Sequence, residues 1–178
     1  MKPTFLLLTA ALLSQPALAD FRLTSTDLQP GKLMNKQQEF QGFGCDGGNR
    51  SPQLSWSGAP AGTRSYAITV YDPDAPTGSG WWHWLAFNLP ASVTSLTAGA
   101  SGNSMPAGSV ESRTDYGAPG FGGACPPQGD KAHRYQFTVF ALNTDTLDLG
   151  PDSSGALVGY FLNAHALGKA TLETLYQR

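Results

Sequence analysis

The 178-residue sequence is poor in charge, has only two cysteines and three histidines, and carries no membrane-length apolar run. Each scarcity excludes something. Charged residues are 13 % of the chain, about half the usual share, whereas a disordered chain needs more charge and fewer aromatics than the 11 % present. A formal net charge of -2 with no basic cluster offers no electrostatic footprint for nucleic acid. The apolar stretch Phe5 to Leu13 falls short of the roughly 20 residues a spanning helix requires. No G-x-S-x-G elbow and no H-E-x-x-H occurs, so the common hydrolase signatures are missing. Zinc would need more sulfur or nitrogen ligands near the cysteines than the chain supplies.

What is present points to an exported all-β domain. Lys2, the apolar run and the small residues Ala17 and Ala19 form the pattern of a cleaved secretory leader, so residues 1 to 19 read as a signal peptide. The remainder, 20 to 178, reads as one domain of periplasmic or secreted location, a length that buries one core. Twenty-one glycines and 13 prolines fit a β fold with long ordered turns. In an oxidising compartment, an even cysteine count is most simply satisfied by a Cys45 to Cys125 disulfide.

Along the chain, QLSWSG (53 to 58), RSYAITVYD (64 to 72), HWLAFNLP (83 to 90) and HRYQFTVFALN (133 to 143) are rich in β-branched and aromatic residues and bounded by turn formers. FRLTST near residue 21 adds another strand. A Gly/Pro/Ser-rich segment covers 99 to 131, and a loop that long in a compact domain is functional or well packed. From Asp152 or Ser153 onward, Leu157, Val158, Phe161, Leu162 and Leu167 recur at helical spacing, with Gly168 a stop or kink before ATLETLY. The expected fold is therefore mainly β, a β-sandwich with peripheral C-terminal helices.

Three polar residues extend the apolar stripes of these strands. Asp72 is in phase with Val70 and Ile68, His83 with Leu85 and Phe87, and His133 with Tyr135 and Phe137. If 64 to 72 and 83 to 90 pair antiparallel, Asp72 and His83 meet at one sheet edge, where the carboxylate can accept from the imidazole. Two imidazoles beside rigid loop backbone suit an anion with several oxygens. Taken singly, each piece has a plain structural reading: His83 as a buried histidine bonded to backbone, Asp-Pro-Asp-Ala-Pro as a strand-ending turn, Asn49-Arg50-Ser51 as turn chemistry, His165 as a packed helix residue. Trp82 and Trp84 are expected to share one side of their strand and Trp81 to line a pocket mouth.

Together, DPDAP at 72 to 76, GWWHW at 80 to 84 and CPPQGDKAHRY at 125 to 135 resemble the signature blocks of the phosphatidylethanolamine-binding protein family, also called Raf kinase inhibitor-like proteins. The resemblance runs from about Phe21 to the end, and it likens NAHALGKATLETLYQR to the C-terminal helix of the family's bacterial branch. It implies a sandwich with one small pocket for phosphate-like anions and phospholipid head groups. By position, Asp72 and His83 match the pocket acid and histidine, Pro76 and Trp81 the rim, and Pro126, Pro127, His133 and Tyr135 the proline loop and the histidine-x-tyrosine strand. Cys125 departs from the small residue found there in many relatives, so a bridge to Cys45 would tether the pocket loop.

The expected function is capture of a small anionic or phosphorylated ligand by a non-enzymatic binding protein, with no cofactor or metal. A role as modulator of an unidentified protein partner stays open. The alternative is a metal-dependent or other hydrolase in which Asp72, Asp74 and His83 hold a divalent cation, although Pro73 argues against the continued strand that would bring the two acids together.

Overall fold

A computed structural model describes residues 20 to 178. The leader expected at 1 to 19 lies outside the described residues. The elements are β1 (Arg22–Thr24), β2 (Gln41–Gly42), β3 (Cys45–Asp46), β4 (Leu54–Ser57), β5 (Ser65–Asp72), β6 (Trp81–Pro90), β7 (Ser95–Leu96), β8 (Val110–Glu111), β9 (His133–Leu142), α1 (Gly155–His165) and β10 (Ala166–Tyr176).

The main sheet has the order β10-β9-β5-β6-β8 with every pairing antiparallel. A smaller sheet, β1-β4-β7, faces it. Between them lies the principal core: Leu23, Leu54, Trp56 and Leu96 from the small sheet meet Ile68, Val70, Trp84, Phe137 and Val139 from the large one. The opposite face of the large sheet buries Ala67, Leu85, Phe87 and Leu142 beneath Val158 and Leu162 of α1. Because both faces of β5 and β6 are covered, these strands read as near-continuous apolar runs, whereas outer strands alternate. The mainly β sandwich expected from the sequence is the observed architecture, with one helix on its outer face.

The end of the chain differs from expectation. Ser154, one residue beyond the proposed caps, starts α1 by accepting from the Leu157 amide at 3.3 Å. The helix stops at His165, and ATLETLY is the last part of β10, paired with β9 from Leu142 down to His133. Its buried residues Ala170, Leu172, Thr174 and Tyr176 recur at spacing two. That period, with threonines at 171 and 174, belongs to a strand. His165 is half-buried at the helix end, its Nδ1 2.9 Å from Asn143 Oδ1.

Residues 99 to 131, although nearly free of regular structure, are anchored throughout. Glu111 on β8 accepts from Trp84 Nε1 at 2.7 Å, from the Ser101 hydroxyl at 2.6 Å and from the Gly102 amide at 2.9 Å. The Ser112 amide donates to Leu85, Asp115 to Trp82 and Gly122 to His83, so the segment runs beside β6 to the end of the sheet. Asn49, with φ +45°, fixes it from the other side: its side chain accepts from the Gly123 amide at 2.8 Å and donates to the Phe121 carbonyl at 3.3 Å. Asn49 thus acts as a long-range anchor, not through the local turn chemistry expected of it.

Candidate functional site

At one end of the large sheet, β5, β6 and β9 and three loops enclose a cavity of about 210 Å³. Asp72 and His133 come from the adjacent ends of β5 and β9, Trp81 and His83 from the start of β6. Tyr135 forms the floor at 1 % exposure, and Pro76, Pro126 and Pro127 form the walls. All eight residues singled out in the sequence therefore line one cavity. Their contact with a ligand is a matter for the proposal below.

His83 arrives by a route that simple alternation misses. In phase, it belongs with Leu85 and Phe87, which face the helix-covered side. The pairing steps from Val70↔Trp84 to Tyr71↔Trp82, so His83 is the extra residue of a β-bulge. Such a bulge re-aims side chains next to functional sites. Here it brings His83 to the cavity side and separates the tryptophans. Trp84 packs in the sandwich core and Trp82 against the helix-side cluster, so the expectation that they share a side is corrected. Trp81 reaches the cavity, as expected.

The expected bond from Asp72 to His83 is also corrected. Asp72 Oδ2 accepts from Nδ1 of His133 at 2.8 Å, while Oδ1 accepts the amides of Asp74 at 2.7 Å and Ala75 at 3.1 Å. Those two amides belong to the turn Asp72 itself starts, which the proline-rich sequence closes tightly. The Nε2 of His133 lies 3.5 Å from Asp130 Oδ2. His83 instead places Nδ1 2.8 Å from the Gly122 carbonyl and 3.1 Å from that of Gly123. These glycines are what permits the approach: a Cβ at 122 would lie 2.3 Å from the Tyr116 ring, and one at 123 would lie 2.3 Å from the Gln38 carbonyl. Burial pushes the His83 imidazole below its ordinary pKa, outweighing the two carbonyls and the Asp72 and Asp115 carboxylates, which pull it up. Burial raises the phenols of Tyr135 and Tyr116, so both are O–H donors at neutral pH.

Two lining residues bury a polar atom that makes no hydrogen bond, although the Asp72 carboxylate lies close enough to Tyr135 to raise its phenol pKa further. The hydroxyl of Tyr135 and Nε1 of Trp81 are buried and unbonded, two of five such side-chain atoms among the described residues. Buried donors without partners are uncommon and call for an explanation such as a ligand or water.

Two aromatic lining residues escaped the sequence reading. Tyr116 stacks on Phe40 with centroids 3.9 Å apart, sits edge-on to His83 and Trp81, and donates to the Gly123 carbonyl at 2.9 Å. Phe43, 73 % exposed with φ +53°, stands at the rim between Gly42 and Gly44. Tyr116 lies in an irregular segment whose path no periodicity reveals. The G-F-G run was the available signal for Phe43, since glycines on both sides permit an unusual backbone.

The disulfide between Cys45 and Cys125 is present, with Cα atoms 6.0 Å apart, and Cys125 itself lines the cavity. Arg178 reinforces the tie, donating from Nε to the Pro126 carbonyl at 2.6 Å and from Nη1 to that of Gly44 at 2.8 Å. Asp74, the second acid of the hydrolase alternative, does not converge with Asp72. It forms a two-point pair with Arg134 at 2.9 Å and also accepts the Arg134 amide at 2.9 Å, which lowers its carboxyl pKa to about 2. Among the described residues no group of three or more His, Cys, Asp or Glu is placed to hold a metal.

The sequence profile of the phosphatidylethanolamine-binding protein family matches residues 24 to 177, and the chain belongs to that family. It is 53 % identical over 162 residues to the UPF0098 protein YbcL of Escherichia coli, covering 89 % of this chain and 88 % of that one. The UPF0098 protein YbhB of the same organism is 45 % identical over 157 residues, covering 87 % and 99 %. The crystal structure of E. coli YbcL, described as a new member of the mammalian PEBP family, superposes with a TM-score of 0.88 over 90 % of this chain and 99 % of that one.

Proposed function

We propose that this chain is an exported binding protein whose cavity captures small oxyanions, phosphate and phosphorylated head groups among them, without chemistry on the captured group. The observation that carries the reading is the convergence of His83, His133, Tyr135 and Trp81 on one proline-walled cavity. Family membership supports a phosphorylated ligand. Export is supported by the leader-like first 19 residues and the disulfide. A captured group can belong to a free metabolite or project from a partner protein, and in the second case the chain modulates that partner.

Calorimetric titration of phosphate and phosphoethanolamine into wild type and His83→Ala is the test. Heats in the wild type that are lost in the variant are expected; equal heats in both would remove the cavity as the binding site.

A further inference from the structure

Among the described residues, Phe43 is the most exposed of the large apolar side chains, at 73 %, and it stands at the mouth of the cavity. Its φ of +53° lies in the left-handed region, which is unfavourable for a residue that carries a Cβ. Three ties hold it there. Gly42 pairs with Cys45 across the β2–β3 turn, the Gly44 carbonyl accepts from Arg178 Nη1 at 2.8 Å, and Cys45 is bridged to Cys125 on the proline loop. The fold thus maintains an unfavourable backbone in order to keep an apolar ring in water, a pattern that points to a role at the site. The ring centroid is 5.6 Å from that of Tyr116 and 5.9 Å from that of Phe40, and those two rings stack on each other at 3.9 Å. Trp81 meets Tyr116 edge-on at 5.3 Å. With Pro126 and Pro127 opposite, the mouth is built largely of rings.

We propose that Phe43 is a specificity-determining residue, an aromatic platform for a planar ring attached to the acidic group that enters the cavity, so that the preferred ligand is a small aryl phosphate. This rests on the anion reading above and adds what the rest of the ligand must be. The cavity, at about 210 Å³, is smaller than the roughly 300–1,000 Å³ of drug-sized sites, so it has room for one ring and its acidic group. Walls fixed by a disulfide and by prolines favour a rigid planar group over a flexible alkyl one, because a rigid ligand gives up little conformational freedom on binding. Aromatic pairs also attract through offset-stacked or edge-on contact beyond the area they bury. The exposed ring of Phe43 is the apolar area that such a ligand removes from water.

The test is calorimetry with methyl, butyl and phenyl phosphate at about pH 8, well above the second phosphate pKa of about 6, so that all three carry the same charge. In the wild-type protein phenyl phosphate should bind about tenfold more tightly than methyl phosphate, with butyl phosphate between them. In Phe43→Leu, which keeps apolar bulk without a ring, phenyl and butyl phosphate should bind alike. In Phe43→Tyr, which keeps the ring, the phenyl preference should persist. Phenyl phosphate binding no more tightly than butyl phosphate in the wild type, an undiminished preference in Phe43→Leu, or its loss in Phe43→Tyr would each overturn the proposal while leaving the cavity as an anion site. Absence of binding by all three ligands would overturn the anion reading with it.

Discussion

On the helix-covered face of the large sheet, Leu85, Phe87 and Leu142 pack beneath Val158 and Leu162, an apolar layer with no ionisable member. On the opposite face the same sheet ends in Asp72, His83, His133 and Tyr135, buried polar groups around an open cavity. The first region stabilises through area removed from water, roughly 25 cal/mol per Å². The second gives up some of that stabilisation, since a buried polar group without a hydrogen bond costs free energy. Apolar packing and the polar cavity are thus divided between two sides of one set of strands.

The comparison can be broken most forcefully on the helix side. Phe87→Ala, at a fully buried position, should cost about 3–5 kcal/mol in urea unfolding. Phosphate heats measured well below the unfolding midpoint should persist, and a loss of both together would deny the division. Next is the tether. Replacing Cys45 and Cys125 with serine removes a bridge spanning 80 residues and should lower stability by about 2–4 kcal/mol, read from thermal melts. Two reactive thiols in the purified exported wild type would instead show that the bridge does not form.

The cavity side should behave in the opposite sense. Tyr135→Phe removes an unpaired hydroxyl, so the free protein should gain up to about 1 kcal/mol while anion affinity falls. A destabilised variant with unchanged affinity would place the hydroxyl in the fold rather than in the site. His83 sharpens the contrast through pH. With its folded pKa depressed, the unfolded chain takes up the proton first, so its contribution is complete above the ordinary imidazole value of about 6.5 and shrinks as pH falls below it. His83→Gln should lack that part of the acid dependence, and identical slopes for the two proteins in pH-stepped denaturation would contradict it. The smallest effect belongs to Asp74→Asn. The Arg134 pair is partly exposed, so the loss at neutral pH should be slight. With a folded pKa near 2, the difference between wild type and variant should be complete above the usual carboxylate range and fade as pH falls toward 2.

Residue by residue, the site was more legible than its bonding. Asp72, His83 and His133 stood out because a polar group at the end of an apolar stripe marks a sheet edge, and all three reach the cavity. Their partners were misassigned, because a hydrogen bond depends on which strands are neighbours: β9 lies directly beside β5, so Asp72 meets His133. Phase alone placed His83 with Leu85 and Phe87, on the side that proves to be covered by α1; an inserted residue breaks that count. The strand after α1 was missed although its period of two was visible, because helical spacing was carried past its natural end at His165.

By itself, the sequence determined the central strands, the paired cysteines and the family to which the chain belongs, since hydrophobic period, cysteine count and short motifs are local properties written directly in residue order. Which carboxylate meets which imidazole, which backbone carbonyls His83 meets, and which buried polar atoms make no hydrogen bond were decided only by the tertiary structure. Those outcomes depend on groups far apart in the chain, such as His83 and the Gly122 carbonyl, meeting within about 3 Å, the short range over which a hydrogen bond forms.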